Sequence, residues 1–566
     1  METERSFEAA LEKLRAGLAG RGARIATPFG SRLVCYADLT ATGRVFAPVE
    51  AYVAALAPYY ANSHTLISST GAAMTAAREQ ARAAIARSVN AGPDDAVLFV
   101  GSGATAAVNK LVVALGLRDR ALAGVPERER PVVFVGPYEH HSNELPWLES
   151  FAECVEIALG KDGQIDLADL ERALTRYAGR AVKLGAFSAC SNVTGVLTDV
   201  SAVARLLHRH GALAVFDYAA SGPYSPIDLH PAEPDAHLDA IFLSPHKFVG
   251  GASASGVLVA SRRLFRSATP ERPGGGTVDY VQALSHAAVD YSRHLEEREE
   301  GGTPAILGDV RAGAALALKD WLGAPRLFAF EQAIARRALE RLARHPRIRV
   351  LGPPGAARLP ILSFNVVLEG GERLHHDFVS TLLDHLFGIQ NRAGCACAGP
   401  YGHRLLGIDA VESQRYRAWV RRGVVPVKPG WVRVTLPFYA PEAEVEFILR
   451  AIELVADRGH SFLPLYAVDW ATGLWRHDSQ PASPCGVAPL SAEALFAARA
   501  PAGEAISDEA IALEREQYLS QAHALANDLD ARHLAEPPRW NPKTGDAELD
   551  AFVWFRYARS VGASRQ

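Results

Sequence analysis

The sequence predicts an α/β fold: a large domain built on a mostly parallel sheet, a smaller α+β domain, and a C-terminal extension. Three observations carry that expectation. Between about residues 95 and 260, short apolar runs rich in β-branched residues alternate with stretches of helical periodicity. Polar and glycine-rich residues follow directly on those runs, at the strand ends where parallel sheets bind ligands. From about residue 325 the pattern changes to long amphipathic helices separated by a few strand-like runs.

Taken in order, "METERSFEAALEKLRAGL" opens with an amphipathic helix whose apolar face is Phe7, Leu11, Leu14 and Leu18. Its early acidic residues and lack of an apolar core region exclude a secretory or transit signal. Residues 1–45 form an N-terminal segment expected to pack with the smaller domain, and 46–320 form the large domain. The expected strands of the large domain are "AVLFV" ending at Val100, "PVVFV" at Val135, "AVKLGAFSA" at Ala189, "ALAVFD" at Asp217, "AIFLS" at Ser244 and "SGVLVA" at Ala260. "GATAAVNKLVVALG" and "DVSAVARLLHRHG" supply helices between them. The smaller domain, 321–460, holds the helix "LFAFEQAIARRALERLARH", the runs "IRVLGP", "LPILSFNVVLE" and "WVRVTLPF", and the helices "DFVSTLLDHLFG" and "PEAEVEFILRAIELVADRG". Residues 461–566 are an accessory extension rich in Pro and Trp, with one helix lined by Ile511, Tyr518, Ala522, Leu525 and Leu529. Extra packing on the smaller domain is the plain role for it; covering an active-site mouth or a dimer interface is the functional one.

The 566 residues exceed a single simple core, and a net charge of −4 with 22% charged residues gives no electrostatic case for nucleic acid or an anionic membrane. Apolar runs are too short and too often broken by charge to span a bilayer. Six scattered cysteines are not a disulfide framework, which points to a reducing cytoplasm.

The chemistry is set by "AIFLSPHKFVGGASASGVLVA", residues 240–260, where Ser-Pro-His-Lys follows a strand and precedes a glycine-rich turn. A lysine placed there, among residues suited to phosphate, differs from a surface lysine. Together with "FDYAA" upstream, the segment resembles the pyridoxal-phosphate site of class V aminotransferase-fold enzymes, in particular the cysteine desulfurase and selenocysteine lyase group. The resemblance spans roughly residues 30–455 and implies the fold type I architecture of pyridoxal-phosphate transferases.

The resemblance implies a role for each matching residue. Lys247 corresponds to the lysine that forms the Schiff base with the cofactor and then shuttles protons at the substrate α-carbon. Asp217 corresponds to the partner of the pyridine nitrogen, and His140 in "PYEHHSNELPW" to the histidine stacked on the ring, with His141 structural. Ala104 and Thr105 open a helix whose amides can point at the phosphate; the family usually has Thr-Thr there. Ser244 and His246 complete that cradle, and Asn192 in "ACSNVTG" corresponds to the residue at the phenolic oxygen. Thr277 in "PGGGTV" matches a residue that reaches the phosphate of the neighbouring subunit, which implies a homodimer. One position departs from the pattern: Ala220 stands where desulfurases carry a glutamine, with Asn192, Tyr218 or Ser221 left to compensate.

An amino-acid substrate presents a carboxylate suited to arginine. Arg433 in "WVRVTLPFY" matches the family's carboxylate-binding arginine, and Arg392 a second one at the entrance. In "RAGCACAGPY" the family pattern places the nucleophile at Cys397, while Cys395 takes a position often held by histidine. The Cys-x-Cys form is also similar to the loop of molybdenum-cofactor sulfurases. Other readings of the pair stay open: a metal site, for which only His403 is a nearby further ligand; transient bonding, with Cys395 resolving a persulfide or sulfenate on Cys397; or two inert thiols. A stable bridge across one residue would be strained, and no metal site is assigned. Cys35, Cys154, Cys190 and Cys485 have no motif context.

The expectation is a homodimeric pyridoxal-phosphate enzyme that converts L-cysteine to alanine with a persulfide on Cys397, or performs the related selenocysteine chemistry, with a sulfur-acceptor protein as a further partner. The alternatives are another class V reaction (C–S β-elimination, epimerisation or transamination), which Ala220 and the extension favour, and a non-catalytic cofactor-binding scaffold.

Overall fold

The computed structural model describes residues 2–118, 125–282, 288–497 and 506–562. They divide into two compact units: Met1–Leu18, Thr40–Gln332 and Pro353–Leu359 in the first, and Ala19–Leu39, Ala333–Gly352 and Pro360–Gln566 in the second.

In the first unit the helix α1 (Glu2–Gly17) buries Phe7, Leu11 and Leu14, and the Phe7 ring meets Phe330 edge-on at 5.6 Å. The centre of this unit is a seven-stranded sheet of β1 (Asp95–Val100), β2 (Val132–Val135), β3 (Glu153–Glu156), β4 (Lys183–Ser188), β5 (Leu213–Asp217), β6 (Ala240–Leu243) and β7 (Gly256–Ser261). Their order is β1-β7-β6-β5-β4-β2-β3, and β7 alone runs antiparallel to its neighbours, with Val257 opposite both Phe99 and Leu243. The central strands are buried on both faces, which is why they read as continuous apolar runs rather than alternating ones. Strand β3 is absent from the sequence expectation: "ECVE" lies at the sheet edge, pairs only with β2, and carries two glutamates that interrupt any apolar run.

Further helices of this unit include α2 (Ser69–Ser88), α3 (Gly103–Ala114), α4 (Val200–Arg209) and α5 (Ile306–Leu322). Helix α4 starts where its sequence says it should, because the Asp199 carboxylate accepts the Ala202 amide at 2.9 Å. Leu98, Leu111, Val133, Phe242 and Leu258 are fully buried where α3 packs on the sheet. Helix α6 (Ala324–Arg344) starts in this unit and ends in the second.

The second unit holds an antiparallel four-stranded sheet, β8 (Ile348–Val350), β9 (Ile361–Val366), β10 (Arg392–Gly394) and β11 (Trp431–Thr435), in the order β8-β9-β11-β10. The helices of this unit include α7 (His376–Phe387), α8 (Gly399–Leu406), α9 (Glu442–Arg458) and α10 (Asp508–Ala535). The extension is built into this unit. Ile511, Tyr518, Ala522 and Leu529 of α10 are buried, the Tyr518 hydroxyl accepts the Leu33 amide at 3.1 Å, and Arg515 pairs with Glu444 of α9 at 2.9 Å. Strands β12 (Tyr466–Asp469), β13 (Trp475–His477) and β14 (Arg559–Val561) form a further small sheet. Trp475 Nε1 donates to His375 Nδ1 at 3.2 Å, and the Trp554 ring stacks on His375 at 5.3 Å. Among the described residues no helix is long and apolar enough to cross a membrane.

Candidate active site

Four sequence-predicted residues of the first unit, Asp217, Ser244, His246 and Lys247, lie at the carboxyl ends of two neighbouring parallel strands. Asp217 ends β5 and is buried; its Oδ1 accepts the Ala219 amide at 2.8 Å. Ser244 and His246 follow β6 directly, and Lys247 closes the one-turn 3-10 helix Pro245–Lys247 through its amide to the Ser244 carbonyl, 2.9 Å. Strands β5 and β6 are adjacent, with Asp217 opposite Phe242, so the carboxylate and the lysine turn occupy neighbouring strand ends. Burial raises the Asp217 pKa; the Ala219 hydrogen bond and the charge of Lys247 oppose that rise.

The amino terminus of α3 lies beside this turn. Gly103 is left-handed (φ +56°), and a Cβ there would come within 2.8 Å of Ser244 Oγ and 3.5 Å of the His246 ring. That close approach lets the Ala104 amide donate to Ser244 Oγ at 2.9 Å. The turn after Lys247 is equally tight, since a side chain on Gly251 would meet the Pro245 carbonyl oxygen at 1.9 Å. The glycines around the motif are thus fixed by backbone contact. Burial and the neighbouring Lys247 hold His246 at a pKa of about 4, a neutral imidazole near pH 7.

His140 follows β2, and its Nδ1 accepts the Ser142 amide at 3.1 Å; Ser142 Oγ then bonds Thr105 Oγ1 at 2.6 Å. The histidine turn and the amino end of α3 are therefore tied together. Sequence analysis missed the group beneath them. Glu139 is buried, its Oε1 accepts the Ser188 amide at 2.9 Å, and its Oε2 accepts Ser188 Oγ at 2.6 Å and Asn143 Nδ2 at 2.7 Å. Asn192 is buried in a loop closed by the Ser191 amide on the Val196 carbonyl, 2.9 Å, with Ser191 Oγ accepting the Val193 and Thr194 amides. Beside the buried Ala220, the Ser221 hydroxyl is buried with no hydrogen-bond partner among the described residues. Thr277 is fully buried and its hydroxyl donates to the Gly274 carbonyl at 2.7 Å, within its own loop.

The remaining predicted residues form a second cluster, in the second unit. Arg433 on β11 and Arg392 on β10 are direct cross-strand partners. A residue the sequence reading did not single out lies between them: Asp38 Oδ1 accepts Arg433 Nη2 at 3.0 Å, and Oδ2 accepts Arg392 Nε at 3.1 Å. Arg433 is buried and Arg392 half exposed. Burial weakens Arg433's hold on its proton, Asp38 opposes that, and the charge of Arg392 adds to the weakening. After β10 the chain turns sharply. Ala396 (φ 48°) and Cys397 (φ 55°) are both left-handed, and the Ala398 amide donates to the Cys395 carbonyl at 3.1 Å just before α8. Cys397 is exposed and Cys395 half-buried, and all six cysteines are free thiols.

The first unit is an α/β domain on a mostly parallel sheet, with a helix amino terminus and a lysine turn side by side at the strand ends where folds of this class bind ligands. The family model described as aminotransferase class-V matches residues 35–448, and the chain belongs to that family. It is 32% identical over 376 residues to a probable cysteine desulfurase of Halalkalibacterium halodurans, covering 66% of this chain and 85% of that protein. A probable cysteine desulfurase of Streptomyces coelicolor is 28% identical over 410 residues, covering 71% of this chain and 88% of the relative. Among solved structures, the apo cysteine desulfurase of Thermococcus onnurineus superposes with a TM-score of 0.59 at 25% identity, covering 75% of this chain and 95% of that one. The Escherichia coli cysteine desulfurase CsdA shares the fold, with a TM-score of 0.58 at 22% identity over 79% of this chain and 98% of that one. The family match stops at residue 448, short of the extension.

Proposed function

We propose that the protein is a pyridoxal-phosphate-dependent cysteine desulfurase that takes sulfur from L-cysteine onto Cys397 and releases alanine. The observation that carries this reading is the buried Asp217 on the strand end next to Lys247, the two close enough to feel each other's charge. A carboxylate so buried calls for a cationic partner, and a protonated pyridine nitrogen supplies one. The cradle suits the phosphate as well, because Gly103 lets the amino terminus of α3, Ser244 and His246 come together.

When bound, pyridoxal phosphate supplies an aldehyde that holds the substrate nitrogen and a ring that draws electrons from the α-carbon. The chain's residues do the rest. Lys247 carries the cofactor and moves protons at the substrate α-carbon, while Asp217 keeps the ring nitrogen protonated. The Thr105 amide, Ser244 (itself held by the Ala104 amide) and His246 would hold the phosphate, while His140 would stack on the ring and Asn192 would bond its phenolic oxygen. Ser221, with spare hydrogen-bonding capacity beside Ala220, replaces the donor that other desulfurases supply with glutamine. Arg433, helped by Arg392, binds the substrate carboxylate. The chain works as a homodimer, in which Thr277 would have to give up its bond to the Gly274 carbonyl to reach the neighbouring subunit's phosphate, and a sulfur-acceptor protein unloads Cys397. The free state of all six cysteines suits a reducing cytoplasm.

The test is to supply the cofactor-loaded protein with L-cysteine and a reductant and to quantify alanine, pyruvate and sulfide. Alanine with sulfide is expected. Pyruvate with sulfide would assign C–S β-elimination instead, the reading that Ala220 favours. No product from any sulfur amino acid would sink both. Cys397→Ser should abolish persulfide formation, and Lys247→Ala should remove the absorbance of the lysine-bound cofactor.

A further inference from the structure

The turn that carries His140 is fastened by a side chain that the proposed chemistry does not use. The ladder between β2 and β4 ends with Val135 opposite Ala186. Beyond that point Glu139 Oε1 takes the Ser188 amide at 2.9 Å, where a continuing strand would have supplied a carbonyl. Glu139 Oε2 accepts the Ser188 hydroxyl at 2.6 Å and Asn143 Nδ2 at 2.7 Å. Trp147 Nε1 donates to Asn143 Oδ1 at 3.3 Å, which fixes Nδ2 as the end turned toward Glu139. Asn143 also closes the turn itself, its backbone amide donating to the His140 carbonyl at 2.8 Å. Gly136 makes room for this arrangement, because a side chain there would run into Glu139 Oε1.

On its other side Ser188 is the register partner of Asp217, and the Ala189 amide donates to the Asp217 carbonyl at 2.9 Å. One buried carboxyl therefore joins the turn of His140 to the strand end beside Asp217. The two ends of this brace differ in kind. Asp217 ends a central strand and is fixed by the sheet, whereas His140 lies on a connecting loop, the more mobile class of segment. A ring stacked on one residue and bonded at its edge by another tolerates errors of only about 0.5 Å in their placement. The loop residue therefore needs a tie to the sheet, and Glu139 supplies it.

We infer that Glu139 is a positioning residue of the cofactor site, setting the spacing between His140, which takes the face of the ring, and Asp217, which takes its nitrogen. This inference rests on the proposed pyridoxal-phosphate site. Glu139 touches no reacting atom in this role. It acts through Asn143 on one side and through Ser188 on the other. Three donors converge on its two oxygens, a set that an acceptor-only carboxylate matches and a side-chain amide does not.

The test exchanges donor and acceptor. Glu139→Gln keeps the volume and the acceptor for the Ser188 amide, but it turns an NH2 group toward Asn143 Nδ2, so that two donors face each other. Adding Asn143→Asp restores one donor and one acceptor in the reverse sense and leaves an oxygen for Trp147 Nε1. Pyridoxal phosphate is titrated into the cofactor-free full-length proteins, its dissociation constant is read from absorbance, and its visible circular dichroism reports how the ring is held. In Glu139→Gln the affinity should fall on the order of tenfold, the equivalent of one hydrogen bond to a charged group. The dichroism per bound cofactor should fall with it, and the double variant should recover most of both. With L-cysteine, kcat should follow the dichroism while KM stays unchanged. Wild-type affinity and dichroism in Glu139→Gln overturn the inference. A loss that the double variant does not recover also overturns it, because Glu139 would then serve packing alone. Ser188→Ala removes only the hydroxyl tie and gives a second reading if Glu139→Gln does not fold: reduced dichroism supports the brace, and an unchanged signal overturns it. A wild-type protein that binds no pyridoxal phosphate would instead overturn the underlying cofactor reading, so the two failures are distinguishable.

Discussion

Arg392 and Arg433 stand opposite each other in the antiparallel register of β10 and β11, and Asp38 accepts a hydrogen bond from each, at 3.1 and 3.0 Å. Like charges directly across a strand pair repel, so the carboxylate between them is what makes the arrangement stable. Each guanidinium donates one N–H to Asp38, which ties the two strands together through a side chain from a distant part of the sequence.

Asp38→Asn keeps the shape and removes the charge. The expected result is a loss of about 1–3 kcal/mol in stability, the cost of leaving charged donors without their acceptor. With it comes a KM for L-cysteine raised more than kcat is lowered, because the residue positions arginines and touches no reacting atom. Chemical denaturation and steady-state kinetics together check this. Unchanged stability with unchanged KM would show that Asp38 holds neither arginine.

A second prediction concerns the buried ion network of the first unit. Arg78 on α2 donates to Asp309 on α5 at 2.6 Å and also bonds Glu300, while Arg82 reaches Glu300 at 3.0 Å. The Phe99 amide on β1 donates to Glu300 at 2.7 Å, and Ser255 Oγ donates to Asp309 at 2.5 Å. Asp309→Ala leaves Arg78 with one carboxylate fewer in a dry site, and stability should fall by about 3–5 kcal/mol. Asp309→Asn should fall by less, since the Ser255 bond can survive. Urea unfolding of the three proteins gives the order; equal midpoints would show that the network is not a stabilising unit.

The six strands legible in the sequence are those with uninterrupted apolar runs, and Asp217, Ser244 and Lys247 were legible because they sit at the ends of such runs. Asp38 left no signal, because its partners lie more than three hundred residues along the chain and "CYADLT" has no local pattern. Glu139 was overlooked for a different reason. A glutamate beside two histidines reads as a solvated residue, and only the folded strand ends show it surrounded by Ser188 and Asn143. The left-handed turn at Ala396 and Cys397 was equally invisible, since neither residue type signals positive φ. The Cys pair was thus legible as chemistry and illegible as geometry.

Burial raises the Glu139 carboxyl to a pKa of about 7, with Asp217 adding to the rise and the Ser188 and Asn143 hydrogen bonds opposing it. The sign follows from linkage. In the unfolded chain the group ionises near its ordinary value, so between about pH 4.5 and 7 the unfolded state has lost a proton that the folded state keeps. The folded state is therefore penalised progressively as pH rises through that window, by an amount on the order of 3 kcal/mol. Glu139→Gln cannot ionise, so its stability measured against pH should be flatter across that interval than the wild type's, whatever its absolute level. Parallel curves would place the Glu139 titration outside the window.

His208, in the last turn of α4, faces acceptors at both ring nitrogens: the Asp235 carbonyl 2.8 Å from Nδ1 and Asp239 Oδ2 3.0 Å from Nε2. A carbonyl oxygen only accepts, and the buried Asp239 carboxylate also takes bonds from Arg263 and from the Ala214 amide at 2.8 Å. Both imidazole nitrogens must then donate, so the ring is charged. Burial works against the charge, but the bonds to Asp239 and Asp235 outweigh it and raise the pKa of His208. His237, stacked on it at 4.0 Å, is driven the other way, by burial and by the His208 charge. A raised histidine pKa contributes stability that is fully present below the unfolded value, near 6.5, and is lost as pH climbs through the raised one. His208→Gln keeps a single donor and should cost about 1.5–3 kcal/mol at pH 6, the range for hydrogen bonds to charged groups. The gap between variant and wild type should narrow steadily as pH is raised to 9. Urea midpoints at a series of pH values read the narrowing, and the ring-proton shifts of His208 in nuclear magnetic resonance report the titration directly. A gap that stays constant over that range would mean the ring is neutral throughout and that Asp239 is held by Arg263 and the Ala214 amide without it.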